Sequence, residues 1–185
     1  MLDLKAVDKS WTLFLDRDGV VNHEKVDGYI LNWKEFRFYE GVPDAVRKLT
    51  AIFGRLIMVT NQRGIGKELM TESELGNIHL NMLETLEKAG GRIERIYYCT
   101  SLDDAHAFRK PNPGMAFEAK KDFPAIDFSK SIIVGNNFSD MEFGRNAGMH
   151  TVFVKTTDPE VKLPNPLIDL WFGSLTDFAK AFEKS

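Results

Sequence analysis

Along the chain, short unbroken apolar runs alternate with longer stretches in which apolar residues recur every three or four positions. "TLFL" (12–15), "LIMV" (56–59), "SIIV" (131–134) and "TVFV" (151–154) read as strands buried on both faces, and Ile93–Cys99 reads as another. Pro43 opens a helix, "PDAVRKLTAIF", that keeps Ala45, Val46, Leu49, Ile52 and Phe53 on one face. "TESE" (71–74) has capping-box spacing, and the helix behind it lines up Leu75, Ile78, Met82, Leu83 and Leu86 before Gly90-Gly91 stops it. Pro113 opens "GMAFEAKKDF", and a further helix is expected over Met141–Ala147. The tail offers an extra strand, "LIDLWF", and a short amphipathic helix, "LTDFAKAFEK".

Strands of this kind alternating with helices predict an α/β fold, a parallel sheet with helices on both faces, and one domain over residues 1–185. Residues 20–40 and 62–70 are long enough only for small flaps, so no large cap domain is expected. In such folds ligands collect at the carboxyl ends of the strands. The polar motifs of this chain fall there.

The first, "FLDRDGVVN" (14–22), ends a buried strand with two carboxylates. Buried carboxylates are costly unless a cation meets them. In extended chain Asp16 and Asp18 point to one side while Arg17 turns away, and Gly19 lets the chain turn sharply. Taken alone, Asp-x-Asp is equally a solvated turn. Thr60-Asn61 follows the second strand with a hydroxyl and an amide able to donate to phosphate oxygens, although strand-end turn chemistry is the blander reading. Gly64 and Gly66 would let backbone N–H groups approach an anion, with Lys67 read as solvated. Arg109-Lys110 stands before the proline frame Pro111-Asn112-Pro113, where Lys110 could neutralise a phosphoryl group or lock Asp16 in its ionised form. Asn136 and Asp140, after the fourth strand, suit a hard cation such as Mg²⁺.

Composition narrows the field. Lys and Arg number 24 against 27 Asp and Glu, a net charge of −3, which argues against nonspecific nucleic-acid binding. Cys99 is the only cysteine, so no internal disulfide can form, and a reducing compartment fits. With neither a signal-peptide pattern nor an apolar stretch of membrane-spanning length, a cytoplasmic protein without membrane contact is expected.

The order strand–Asp-x-Asp-Gly, strand–Thr-Asn, Arg-Lys-Pro, strand–Gly-Asn-x-x-x-Asp resembles the haloacid dehalogenase (HAD) superfamily. With "DGYI", "EGV", "VTNQRGIGK", "RKPNPGM" and "VGNNFSDM", the resemblance over residues 12–154 narrows to the histidinol-phosphate and D-glycero-D-manno-heptose-1,7-bisphosphate phosphatase family. It implies a HAD-like Rossmannoid domain and a Mg²⁺-dependent phosphomonoester hydrolase working through an aspartyl-phosphate. Asp16 would be the nucleophile and Asp18 the general acid and base, with Thr60 and Lys110 completing the catalytic set. Asn61, Arg109 and Gly19 are assigned to substrate binding, and Asp16, Asp18, Asn136 and Asp140 to the metal. Tyr29 is expected at the pocket mouth by the same resemblance.

Two departures from the family pattern qualify these expectations. Asn136 stands where the family usually has an aspartate metal ligand, removing one charge, so saturation at higher Mg²⁺ is expected; Asn137 likewise replaces a lysine. Relatives often carry a structural zinc on three cysteines and a histidine, whereas here only Cys99 and His106 stand at plausible positions, with Ser101 and Phe108 where ligands would be wanted. No structural zinc is expected. The expected substrate is a small phosphate ester, such as a heptose bisphosphate or histidinol phosphate, handled by a monomer or weak homo-oligomer. The rival readings are a polynucleotide 3′-phosphatase and a catalytically weak HAD-like protein that binds a phosphorylated ligand.

Overall fold

The computed structural model of the protein describes residues 2–184, with the backbone alone at 184. Six strands, β1 (Thr12–Leu15), β2 (Arg55–Asn61), β3 (Arg95–Cys99), β4 (Ser131–Gly135), β5 (His150–Val154) and β6 (Leu170–Phe172), form one sheet in the order β3-β2-β1-β4-β5-β6. Every neighbouring pair is parallel. The unbroken apolar runs are explained by burial on both faces. Leu13 and Leu15 face one core layer with Met58, Val134 and Val152, whereas Phe14 faces the other with Ile57, Val59 and Ile133.

Helices cover both layers. α1 (Val42–Ile52), α3 (Glu72–Lys88) and α6 (Leu175–Ala181) pack on the first through Leu49, Ile78, Met82 and Phe178. α4 (Gly114–Asp122) and α5 (Phe138–Ala147) pack on the second through Met115, Ala119 and Phe143. The capping box expected at Thr71 and Glu74 is present, and Gly90 takes φ +87° past the end of α3. No helix among the described residues is long and apolar enough to cross a membrane.

Two local expectations are corrected. The α5 helix starts at Phe138, three residues ahead of Met141, because Asn137 and Asp140 form a capping box that supplies the orphan N–H groups of its first turn. The glycine loop after β2 folds into a single helical turn, α2 (Arg63–Gly66), rather than an open anion cradle. Gly64 packs on Met70 and Leu31, and a Cβ at Gly66 would collide with the Thr100 carbonyl. These glycines serve close chain approach.

The sheet order reverses at β1, whose neighbours β2 and β4 belong to opposite halves of the sheet. That reversal opens a crevice at the carboxyl ends of β1 and β4. Asp16, Thr60 and Asn136 sit at or just past the ends of their strands around it.

Candidate active site

Asp16 extends β1 by one residue, its N–H donating to the Val134 carbonyl at 3.0 Å. The side chain is buried, and its Oδ1 accepts from the Arg17 N–H at 2.8 Å and lies 2.9 Å from Lys110 Nζ. Lys110 is buried too, and its ammonium also donates to the Val59 carbonyl at 3.0 Å and to Asp140 Oδ1 at 2.6 Å. All three ammonium protons are therefore committed. The other Asp140 oxygen accepts from the N–H groups of Asn136 and Asn137 at 3.2 and 3.1 Å, so helix cap and ion pair share one carboxylate. Gly135 is required beside it, since a Cβ there would collide with the Asp140 side chain.

The electrostatics follow from this packing. Burial, then the Asp140 charge, pushes the Asp16 carboxyl up to about 7 while Lys110 pulls against them. Burial alone would depress Lys110, but the Asp140 and Asp16 charges outweigh it and raise its proton affinity. Asn61 fixes where the lysine starts, its amide donating to the Lys110 carbonyl at 3.2 Å and accepting from the Lys110 N–H at 3.1 Å. Expected on phosphate oxygens, this carboxamide is held to the Lys110 backbone at both ends.

Arg17 does not turn away from the pair. It is only 1% exposed and folds back as a fork on Asp18, with Nη2 2.9–3.0 Å from the two carboxylate oxygens. Asn22 and Gln62 add donors to Asp18 at 2.9 and 3.0 Å. Burial alone would raise the Asp18 carboxyl, but the Arg17 charge and these hydrogen bonds hold it below the ordinary carboxylate value. Behind Arg17, His79 Nε2 lies 3.2 Å from Nη1. A guanidinium only donates, so Nε2 is the acceptor and Nδ1 carries the proton. Burial, with the Arg17 charge second, lowers His79 to about 3. Gln62 also donates to Thr60 Oγ1 at 2.9 Å, tying the second strand's hydroxyl to the first strand's carboxylate.

Asp16, Asp18, Thr60, Asn61, Lys110 and Asp140 line one cavity of about 150 Å³, together with Glu24, Asn137 and Ser139. A wider cleft of about 620 Å³ shares Asp18, Glu24 and Asn61 with it and is walled by Tyr29 and Lys67, whose Nζ lies 5.1 Å from the Tyr29 ring centre. Lys67 is thus at the cleft rather than merely solvated. Arg109 is not gathered to either cavity. Its guanidinium is spent on Asp104 Oδ1 at 2.8 Å and the Ser101 carbonyl at 3.4 Å, bracing the loop before Lys110. Gly19, at φ +85°, lies against Asn136, with which a Cβ would collide. Cys99 Sγ and His106 Nδ1 approach to 3.6 Å, and the Ser101 hydroxyl accepts from the Asp103 N–H.

A hard divalent cation at the crevice would need oxygen ligands. Among the described residues no three His, Cys, Asp or Glu side chains form a metal cluster, so any site must include amide or carbonyl oxygens. Asn136 provides the decisive observation: it is 1% exposed, and its Oδ1 has no hydrogen-bond partner. Its Nδ2 is engaged, donating to Thr157 Oγ1 at 2.8 Å and to Glu24 Oε2 at 3.4 Å. Exchanging N and O would turn an acceptor toward the Glu24 carboxylate, so the orphan is the oxygen. An unpaired buried acceptor packed against Gly19, the residue after Asp18, fits an oxygen-ligated ion such as Mg²⁺. Asp140, grouped with the metal from sequence, has both oxygens already engaged.

Sequence reasoning missed Gln62, Glu24 and the Arg17–His79 contact. Gln62 was visible within "TNQ", but its target lies 44 positions away in the chain, and nothing local signalled Glu24.

The HAD-hydrolase-like family model matches residues 107–166. Over 172 residues the chain is 32% identical to the D-glycero-alpha-D-manno-heptose-1,7-bisphosphate 7-phosphatase of Mycobacterium bovis, covering 92% of this chain and 90% of that one. Over 181 residues it is 34% identical to the corresponding beta-heptose 7-phosphatase of Salmonella typhi, covering 93% and 95%. Among solved structures, the D,D-heptose 1,7-bisphosphate phosphatase from B. bronchiseptica, complexed with magnesium and phosphate, matches with a TM-score of 0.83 at 28% identity, over 94% of this chain and 98% of that chain.

Proposed function

This chain belongs to the heptose-1,7-bisphosphate phosphatase family of HAD-like hydrolases, and from that premise we propose that it removes the 7-phosphate of D-glycero-D-manno-heptose 1,7-bisphosphate, with Asp16 as the nucleophile. The reading is supported above all by Asp16, Asp18, Thr60 and Lys110 meeting around one cavity at the β1–β4 crevice.

Both bonds to Asp16 are made to Oδ1, which leaves Oδ2 for attack on phosphorus. As the Asp16 oxygen bonds to phosphorus, the bond to the sugar oxygen breaks, and Asp18 gives its proton to that leaving oxygen. Water then attacks the aspartyl-phosphate, its proton passes to Asp18, and inorganic phosphate leaves as Asp16 is regenerated. Asp18 starts ionised, held so by Arg17, Asn22 and Gln62. The negative charge of an arriving phosphate ester raises its proton affinity, so Asp18 takes up a proton from solvent as the ester binds, and that is the proton it then gives to the leaving oxygen. With all three protons committed, Lys110 acts by holding Asp16 ionised and aimed. Thr60 Oγ1, already accepting from Gln62, has its own proton to donate to a phosphoryl oxygen. A divalent ion held by the Asp16 carboxylate, the Asp18 carbonyl and Asn136 Oδ1 would supply positive charge at the phosphoryl oxygens.

Phosphate release with Mg²⁺ tests this over the alpha and beta heptose bisphosphates, histidinol phosphate and a 3′-phosphorylated oligonucleotide. Turnover on a heptose bisphosphate, abolished by Asp16→Asn in a folded protein, is expected. Preference for the oligonucleotide or histidinol phosphate would overturn the substrate. Tight binding of heptose bisphosphate without release would favour a binding protein, and substantial turnover by Asp16→Asn would overturn the nucleophile.

A further inference from the structure

Four carboxylates, Asp16, Asp18, Asp140 and Glu24, line the small cavity, yet only Lys110 among its lining residues is cationic, with Arg17 behind Asp18. That leaves an anionic pocket for an anionic substrate. Glu24 is the unexplained member. It lies on the irregular segment after β1, exposed at the mouth, and reaches the buried Asn136 amide 112 positions away at 3.4 Å. No cation pairs with it in the cavity, and Asp18 and Asp140 face it with like charge. A carboxylate held there works against phosphate binding unless a cation lies between them. The amide that Glu24 meets carries the orphaned Asn136 Oδ1, an oxygen that brings no charge of its own.

We propose that Glu24 is the carboxylate that completes the charge of the divalent-cation site, accepting hydrogen bonds from the ion's water shell while Asn136 Oδ1 binds the ion itself. The distances favour water-mediated contact, because Glu24 meets the Nδ2 side of the amide rather than its free oxygen. Mg²⁺ keeps several waters and so offers donors to such a carboxylate. The expectation of a weakened site at Asn136 then changes: the charge missing from the fourth-strand loop enters from the first. The inference rests on the metal-dependent reading above and goes beyond it in assigning Glu24.

Direct ion binding tests it without reference to turnover. Free Mn²⁺ is followed by electron paramagnetic resonance, and Mg²⁺ by competition against it, in the wild type, Glu24→Gln, Asn136→Asp, the double variant and Asp16→Asn. Glu24 is exposed and belongs to no helix or strand, so Glu24→Gln is expected to fold, with the circular dichroism melt as control. Its dissociation constant should rise roughly ten- to a hundredfold, the usual effect of losing a partner of the ligands. The double variant should regain most of that loss, because the carboxylate returns at residue 136. A Glu24→Gln constant within twofold of wild type, while Asp16→Asn abolishes binding, overturns the role of Glu24 and leaves the metal site standing. Absence of binding in every protein, Asn136→Asp included, overturns the metal reading and this inference with it.

Discussion

The floor of the crevice and its mouth are built on opposite principles. On the floor, Asp16, Lys110 and Asp140 are buried, and Lys110 Nζ and both Asp140 oxygens are engaged. The mouth is a loop carrying Glu24, Lys25 and an exposed Val26, with Lys67 facing it from α2's end. The floor aims groups that must not move. The mouth leaves Glu24, Lys25 and Lys67 exposed, which under the proposed function are the groups that meet the ion's waters and the substrate. Stability should therefore reside in the first region, and affinity in the second.

The largest break in that contrast is Lys110→Met. It leaves two carboxylates buried without their shared cation, and breaking a buried pair from one side costs about 3–5 kcal/mol. Denaturant midpoints should fall accordingly, and turnover should be lost with them. A variant as stable as the wild type would show that the floor is not the rigid half.

The contrast also sets what the sequence could disclose. β1, β2, β4 and β5 were legible because each holds a short apolar run buried from both sides, and the capping box at Thr71 and Glu74 is purely local. Asp16, Asp18, Thr60 and Lys110 were legible as candidates because each stands at a strand end or beside a proline frame. Side-chain direction was not. Arg17 folds back because His79, 62 positions away, accepts one end of its guanidinium, and Gly66 is small because the Thr100 carbonyl passes over it. Arg109 looked like a second cation for the pocket, but Asp104 and Ser101 on its own loop take it. Contacts between distant segments decided the first two and the fold of one loop decided the third, and local pattern records neither.

His79 sharpens the comparison from beneath the floor. Its folded value of about 3 lies below the ordinary 6.5, so the native state binds fewer protons than the unfolded chain. The corresponding stability is fully present above about pH 6.5 and is lost as pH falls toward 3, at up to about 1.4 kcal/mol per pH unit. His79→Gln keeps an acceptor for Arg17 and does not titrate. The wild type should lose stability relative to it between pH 6.5 and 4.5, measured by urea melts at each pH. Taking the difference cancels Asp16, whose raised value contributes with the opposite sign. Parallel curves would place His79 outside the buried network.

The smallest effect belongs to the mouth. Lys67 touches the Tyr29 ring at 5.1 Å and walls the wider cleft, and no ion pair to it is seen among the described residues. An exposed contact of this kind stabilises by about 0.5–1 kcal/mol at most, so Lys67→Ala should barely shift the melt. Its charge has a different use. A lysine about 4 Å from an anion in water is worth about 1 kcal/mol, which is roughly a fivefold change in affinity. Lys67→Ala should therefore raise KM severalfold for a bisphosphate, leave kcat unchanged, and lose its effect as salt screens the charge. If kcat fell instead, the lysine would be acting on the reacting phosphate, and the division between a rigid floor and a permissive mouth would fail at that residue.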